Sequence, residues 1–301
     1  MLLVVCPNLA LDRILQVEHF HANQVQRSRS VLVQPGGKGA NVARVFRQLG
    51  GEVALVGFAG SSNGSSIVES LRDLGIHVDV IAAYDGSSRT CTIICDPQSV
   101  SHPTVINEES PQIEPDAAAR LIKTVRRWLP RVEAVLATGS LTMGLPVDFY
   151  AQILDEARAR GKFTAIDAAG AVLRVGLSSH PMFMKPNTDE FFELTHTLNN
   201  PGAFILPAHT TVTFGNVGAV LLHEGRCLHA KPPRLFDVNP IGAGDAFVAT
   251  YLRYFLNRYT AADCLRLAVA AAASDAATLR PGFIEISQFQ SLAGQVELRF
   301  L

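Results

Sequence analysis

Short apolar runs alternate with amphipathic helical patterns along most of this chain, and this rhythm limits the folds it can adopt. The runs that predict strands lie near residues 2–6, 53–57, 134–138, 163–167, 182–185, 210–214 and 219–223. Between two of them, residues 64–74 place Ile67, Leu71 and Leu74 at helical spacing before Gly75 ends the pattern. Strands and helices in regular alternation predict an α/β fold with a doubly wound, mostly parallel sheet.

Two segments depart from the rhythm, at about 12–34 and about 78–107. Both show strand-like alternation of apolar and polar residues with no helical pattern between the strands. We expect one domain over residues 1–301, with these segments forming a small β lid over the carboxyl edge of the sheet. Because a strand layer with an apolar face tends to find a partner, homodimerisation through the lid is a further expectation.

Composition excludes several classes of function. With 301 residues and 48% hydrophobic content, the chain can bury a large core. The 26 basic residues nearly balance the 27 acidic ones without a long charged run, so we expect no nucleic-acid or membrane-surface partner. The apolar opening MLLVVC is too short for a secretion signal and predicts a buried strand, which favours a cytoplasmic protein.

The five cysteines are scattered along the chain and none forms a CxxC pair. This spacing disfavours a disulfide framework and a zinc site. Cys91 and Cys95 are four residues apart in a predicted strand and therefore share one face. We interpret them as packing residues.

The most informative segment spans residues 238–257, where Gly242, Ala243 and Gly244 stand directly before Asp245 and an apolar helical pattern. Small residues let the backbone approach a ligand closely, and the free N–H groups of a first helical turn attract anions. An aspartate at this position has two interpretations. It can be a residue that stabilises the helix start, or it can be a catalytic base.

A second glycine loop, PGGKGANVARVFRQLGG at 35–51, also opens a helical pattern. Neither loop fits the dinucleotide motif GxGxxG, because the third position falls on Val42 in one loop and on Phe247 in the other. Neither fits GxxxxGK[ST]. A redox enzyme on a Rossmann-type sheet and a P-loop enzyme are therefore disfavoured.

Six blocks, taken together and in order, resemble the PfkB family of carbohydrate kinases, the ribokinase-like kinases. They are PNLALD at 7–12, GGKGAN at 36–41, TGSLTMGLP at 138–146, KPNTDE at 185–190, VTFGNVGAVLL at 212–222 and GAGD at 242–245. The resemblance covers nearly the whole chain, up to Pro281 and Gly282. It implies a ribokinase-like fold and phosphorylation of a carbohydrate by ATP with Mg²⁺.

GGKGAN, TGSL and the arginine of SSRTCTII resemble one branch of the family in particular. This branch contains 1-phosphofructokinase, tagatose-6-phosphate kinase and the minor 6-phosphofructokinase. It implies conversion of fructose 1-phosphate, tagatose 6-phosphate or fructose 6-phosphate into a bisphosphate. The alternatives are a kinase of an unphosphorylated sugar or nucleoside, and a non-catalytic regulator of the same fold that binds sugar phosphate.

The resemblance also implies roles for individual residues. Asp245 matches the catalytic base, and the backbone N–H groups of Gly242, Ala243 and Gly244 match an anion hole. The residues implied on the nucleotide side are Lys185, Asn187, Thr213, Gly215 and Gly218. Asn187 and Glu190 match the pair associated with Mg²⁺, although the same residues could simply start a helix.

On the substrate side, Asp12 matches the aspartate that accepts hydrogen bonds from sugar hydroxyl groups, unless it is an ordinary loop residue. The residues implied around it are Gly36, Gly37 and Asn41, with Arg27, Lys38, Arg89 and Ser140 for a substrate phosphate.

Two departures from the family pattern concern neighbouring turns. Thr142 and Met143 replace two prolines, and Ser274 and Asp275 replace small residues near the expected adenine site.

Overall fold

Two sheets of different size organise the chain. The computed structural model describes residues 1–96, 98, 103–196, 205–235 and 239–301. The strands are β1 Leu2–Cys6, β2 Ala10–Gln16, β3 Ser30–Gly36, β4 Val53–Gly60, β5 His77–Tyr84, β6 Thr90–Cys95, β7 Thr104–Asn107, β8 Ala134–Thr138, β9 Phe163–Asp167, β10 Phe183–Met184, β11 His209–Thr213, β12 Ala219–His223, β13 Arg226–Lys231 and β14 Glu297–Phe300. The α-helices are α1 Lys38–Gln48, α2 Gly64–Asp73, α3 Ala117–Trp128, α4 Phe149–Ala159, α5 Gly170–Gly176, α6 Thr188–His196, α7 Ala243–Leu256, α8 Ala261–Ala276 and α9 Ile286–Ala293.

The large sheet has ten strands in the order β14-β13-β12-β11-β10-β9-β8-β1-β4-β5. The seven strands from β11 to β5 are mutually parallel, and β12, β13 and β14 extend one side of the sheet in antiparallel pairing. All five residues of β1 are buried, as is typical of a parallel strand that is covered on both faces. The predicted doubly wound, mostly parallel sheet is confirmed.

Helices cover both faces of this sheet and create two separate cores. Successive residues of β1 alternate between them, because side chains of a strand point to opposite faces. Leu2 and Val4 pack in the core that contains residues of α1, α2, α7, α8 and α9, whereas Leu3 and Val5 pack in the core beneath α3, α4 and α6. Among the described residues, no helix is both long and apolar enough to cross a lipid bilayer.

The small sheet has the strand order β3-β2-β6-β7. Its inner face carries Ile14, Ile93 and Cys95, which pack against the partly buried side chains of Leu32 and Ile241. Since Ile241 directly precedes the glycine loop of α7, the small sheet lies next to that loop. The small sheet is therefore the candidate for the expected lid.

The second lid segment begins later than the sequence predicted. His77–Tyr84 forms β5, which pairs in parallel with β4 at the edge of the large sheet, and only β6 and β7 join the small sheet. The alternation in HVDVIAAY arises because an edge strand is partly exposed. Residues 97 and 99–102 of the expected segment lie outside the described part of the chain.

Candidate active site

The two glycine loops meet at the carboxyl edge of the parallel strands. Gly242 is the N-cap of α7 with φ +94°, and Asp245 lies in the first turn of that helix. A Cβ atom at Gly242 would lie 2.6 Å from the backbone nitrogen of Gly282, so this position requires glycine. Asp245 is only 7% exposed, and its Oδ2 accepts a hydrogen bond of 2.8 Å from Asn41 Nδ2 of the other loop.

Burial raises the pKa of Asp245 to about 7. The nearby carboxylate of Asp167 acts in the same direction, while Lys38, Lys185 and the hydrogen bond from Asn41 oppose the rise. A carboxyl group with a pKa near neutral pH can both accept and release a proton under physiological conditions. Asp245 is therefore suited to accept a proton as well as to stabilise the helix start.

Asp167 is a residue of the site that the sequence analysis missed. It ends β9 and is 1% exposed, and its carboxylate lies 3.4 Å from Lys38 Nζ and 3.3 Å from Lys185 Nζ. Burial opposes its charge, but the two ammonium groups hold its pKa below the ordinary value. An added Cβ at Gly244 would lie 3.5 Å from Lys185 Nζ, so the pair borders the glycine loop of α7.

Asp12 lies on the inner face of the small sheet and is buried. A Cβ atom at Gly36 would overlap its carboxylate at 1.9 Å, so glycine at this position makes room for the aspartate. Burial raises the pKa of Asp12 to about 6, against the nearby guanidinium groups of Arg44 and Arg89. The structure thus places Asp12 directly beside Gly36.

Arg89 and Ser140 are joined through Asn8, which the sequence analysis did not single out. Arg89 Nε donates to Asn8 Oδ1 at 2.8 Å, and Asn8 Nδ2 donates to Ser140 Oγ at 2.8 Å. Gly37 is the N-cap of α1 and Lys38 its first residue.

Arg27 does not lie with this group. Its side chain is exposed on the connection between β2 and β3 and makes no hydrogen bond or ion pair to another described residue.

The first turn of α6 begins with a reciprocal cap between Asn187 and Glu190. Asn187 Oδ1 accepts from Glu190 N and Glu190 Oε2 accepts from Asn187 N, both at 2.8 Å. Glu190 also lies near enough to Lys38 to favour its charged form. Thr213 is bridged to Asn187, and Gly215 and Gly218 form the turn that follows.

The two departures from the family pattern are accommodated within the fold. Thr142 is buried and its Oγ1 donates to the carbonyl oxygen of Pro7 at 2.8 Å. Asp275 is buried, and its Oδ1 accepts from Phe283 N at 2.8 Å. Ser274 is buried, and its Oγ is hydrogen-bonded to Gln288 Oε1 at 3.1 Å.

Fold and comparison together define the class of protein, which is a carbohydrate kinase. Residues 1–283 match the sequence model of the pfkB family carbohydrate kinases, and the chain belongs to this family. A family of kinases implies ATP as the co-substrate.

Three solved structures show the same fold at low sequence identity. Phosphofructokinase-2 from Escherichia coli, in complex with substrates and products, is 20% identical with a TM-score of 0.86, and the match covers 98% of each chain. A possible 1-phosphofructokinase from Thermotoga maritima is 21% identical with a TM-score of 0.84, covering 100% of this chain and 99% of that one. A carbohydrate kinase from Agrobacterium tumefaciens is 21% identical with a TM-score of 0.75 and the same coverage.

Proposed function

We propose that the protein transfers the terminal phosphoryl group of ATP to a hydroxyl group of a ketohexose phosphate, which yields a bisphosphate. Fructose 1-phosphate, tagatose 6-phosphate and fructose 6-phosphate are the candidate substrates. One observation carries the proposal. A buried carboxyl group with a pKa near 7 stands in the first turn of a glycine-capped helix, where backbone N–H groups converge.

In this scheme the substrate hydroxyl donates a hydrogen bond to Asp245, which takes its proton as the oxygen attacks the terminal phosphorus of ATP. The bond from that phosphorus to the bridging oxygen breaks, and ADP leaves. The N–H groups of Gly242, Ala243 and Gly244 stabilise the charge on the transferring phosphoryl group. Lys185 lies beside Gly244 and adds a positive charge to the same place. The chain therefore contributes mainly positioning and electrostatic stabilisation, as phosphoryl transfer requires.

The residues present fit Mg²⁺ held largely by waters and phosphate oxygens. Among the described residues, no cluster of three or more His, Cys, Asp or Glu side chains could hold a metal alone. Asn187 and Glu190 supply hard oxygen atoms, and a carboxylate can accept bonds beyond the one it receives in the cap. Bound there, Mg²⁺ would neutralise the triphosphate.

Specificity for a phosphorylated sugar would come from the cations at the substrate end of the site. Arg89 lies next to Asp12 and Asn8, with Ser140 at the far side of Asn8, and Lys38 stands at the start of α1. A planar guanidinium suits bidentate binding of phosphate. Arg27 would join this group only if the exposed connection between β2 and β3 closed over the substrate.

An assay of ADP release with a panel of sugars, nucleosides and sugar phosphates tests the function, with Asp245→Ala as the inactive control. We expect release with at least one ketohexose phosphate. Arg89→Ala should weaken the affinity for that substrate at least about tenfold, since charged hydrogen bonds contribute 1.5–3 kcal/mol. Arg13→Ala, an exposed arginine on β2, should not.

Two other outcomes of this assay would support the alternative functions. Release only with unphosphorylated substrates, unaffected by Arg89→Ala, identifies a kinase of a free sugar or nucleoside. A thermal shift with sugar phosphate but no ADP release with any compound identifies a regulator.

We also propose that two copies associate through the outer face of the small sheet. Val31, Val33 and Ile106 are 47%, 51% and 59% exposed there, although all three are apolar. Light scattering of the wild type and of Val33→Asp tests this. A dimer that dissociates in the variant supports the proposal, and a monomeric wild type rejects it.

A further inference from the structure

Arg44 is a buried cation that no part of the proposed mechanism uses. It lies on α1 and is 3% exposed, yet no carboxylate forms an ion pair with it among the described residues. Its guanidinium donates to Asn41 Oδ1 at 3.1 Å, to the carbonyl oxygen of Pro281 at 2.8 Å and to that of Pro35 at 2.6 Å. Burial of a charge without a carboxylate partner costs free energy, which points to a functional role for Arg44.

The contact with Asn41 determines the orientation of its side-chain amide. A guanidinium can only donate hydrogen bonds, so the amide atom that faces Arg44 must be the oxygen. The other end of the amide, Nδ2, then faces Asp245 Oδ2 at 2.8 Å. Arg44 thereby orients the Asn41 amide so that it presents a hydrogen-bond donor to Asp245, and not an acceptor.

The same guanidinium joins three segments that surround the site. Pro35 lies at the end of β3 in the small sheet, Asn41 lies on α1, and Pro281 lies in the loop after α8. Gln34 Nε2 of the small sheet also donates to the carbonyl oxygen of Pro281, at 3.0 Å. The orientation of the Asn41 amide therefore depends, through Arg44, on contacts with the end of β3 in the small sheet.

We propose that Arg44 is a positioning residue that acts through Asn41. It holds the amide so that one oxygen of Asp245 is occupied by an N–H group and the other oxygen is directed to the substrate hydroxyl. The inference rests on the proposed function, because it takes Asp245 as the base.

Removal of the guanidinium should change the proton affinity of Asp245. Without Arg44 the amide can rotate and present its oxygen, which favours the protonated carboxyl group. A nearby positive charge is lost as well. The other charged or titratable groups that face Asp245 are Lys38, Lys185, Asp167, Asp275 and Cys6. Of these, Asp275 also lies near Arg44, and loss of the guanidinium favours its neutral form.

The test compares the pH dependence of kcat/KM in the wild type, Arg44→Gln and Arg44→Lys. We expect Arg44→Gln to move the acidic limb of the pH profile upward by about one pH unit. Activity should then fall about fivefold at pH 7, approach a loss of about tenfold at lower pH, and largely return at high pH. Arg44→Lys keeps the positive charge, so its acidic limb should lie close to that of the wild type. Arg253→Gln is the matched control, because Arg253 Nε bonds the carbonyl oxygen of Leu49 away from the site.

A background of Asn41→Ala separates positioning from structural support. There, Arg44→Gln should shift the limb by less than half as much as in the wild type, because the amide it acts through is absent. Equal shifts in both backgrounds, or a uniform loss of activity at every pH, would overturn the proposal.

A second measurement does not depend on catalysis. The carboxyl carbon of Asp245, followed by ¹³C NMR and assigned with Asp245→Asn, should titrate at higher pH in Arg44→Gln than in the wild type. If Arg44→Gln does not fold, Asn41→Ala must show the same upward shift. An unchanged titration rejects the role of Arg44, whereas absence of ADP release from the wild type rejects only the proposed function.

Discussion

Asp167 and Asp245 are two buried aspartates at one edge of the sheet, and their surroundings give them opposite properties. Asp167 is buried between Lys38 and Lys185, which keep it charged. Asp245 is bonded to the neutral amide of Asn41, and its pKa rises to about 7. Burial is nearly equal, so the identity of the partner decides which carboxylate is a fixed charge and which can exchange a proton.

The largest expected effect is on the exchangeable aspartate. Asp245→Asn keeps the size of the side chain but removes the proton acceptor, so ADP release should fall by about 10² to 10⁴. The thermal melting temperature should not decrease, because a buried carboxyl group is replaced by a neutral amide. Turnover within tenfold of the wild type would show that the two aspartates do not differ in this way.

Asp167, whose carboxylate stays charged, should contribute mainly to stability. Asp167→Asn leaves Lys185, which is buried, without its carboxylate, and breaking such a pair costs about 3–5 kcal/mol of unfolding free energy. Asp155→Asn is the matched control, since its pair with Arg158 is exposed and should contribute below about 1 kcal/mol. Urea unfolding at pH 7 measures both. Equal losses in the two variants would contradict the assignment.

The sequence predicted one of these aspartates and not the other, for a physical reason. Asp245 stands in a glycine loop whose composition is unusual, whereas Asp167 ends an ordinary apolar strand, FTAID. A polar residue that ends a buried parallel strand, or is the first polar residue after it, lies at the ligand edge of such a sheet. This signal could have identified both Asp167 and Asn8. The partners of Asp167 come from distant segments, which no local pattern shows.

For the fold as well, features that depend on local sequence were predicted, and features that depend on distant contacts were missed. The strands and helices with continuous or periodic apolar patterns were predicted near their observed positions, because their burial depends on local sequence. The assignment of β5 to the large sheet was missed, since only pairing with β4 distinguishes an edge strand from a lid strand. Arg44 was missed because a charged residue among Val42, Val45 and Phe46 gives no hint of its three carbonyl acceptors.

Stability should depend on pH in opposite senses at the two aspartates. The folded pKa of Asp245 lies above its unfolded value, so its contribution is fully present below about pH 4 and is lost as pH rises towards 7. Asp167 has a depressed pKa, and its contribution is lost only as pH falls below about 4.

The unfolding free energy of Asp245→Asn should therefore increase relative to that of the wild type by on the order of 2 kcal/mol between pH 4 and pH 8. Structural relaxation around the ionised carboxylate keeps this gain below the value that the raised pKa alone would give. Asp12 remains in both proteins and does not depend on Asp245, so its raised pKa cancels in the comparison. Urea unfolding of both proteins across this range measures the difference. A constant difference would show that Asp245 does not titrate there.

The smallest expected effect is on the electrostatic link between the two aspartates. Lys38 contacts Asp167 and also lowers the pKa of Asp245. Lys38→Met removes that charge, so the acidic limb of kcat/KM should move from about pH 7 to higher pH, by on the order of one unit or less. Lys123→Met on the exposed surface of α3 is the control. Because Lys185 still neutralises Asp167, a limb that stays in place would mean that this second lysine alone sets the charge balance around Asp245.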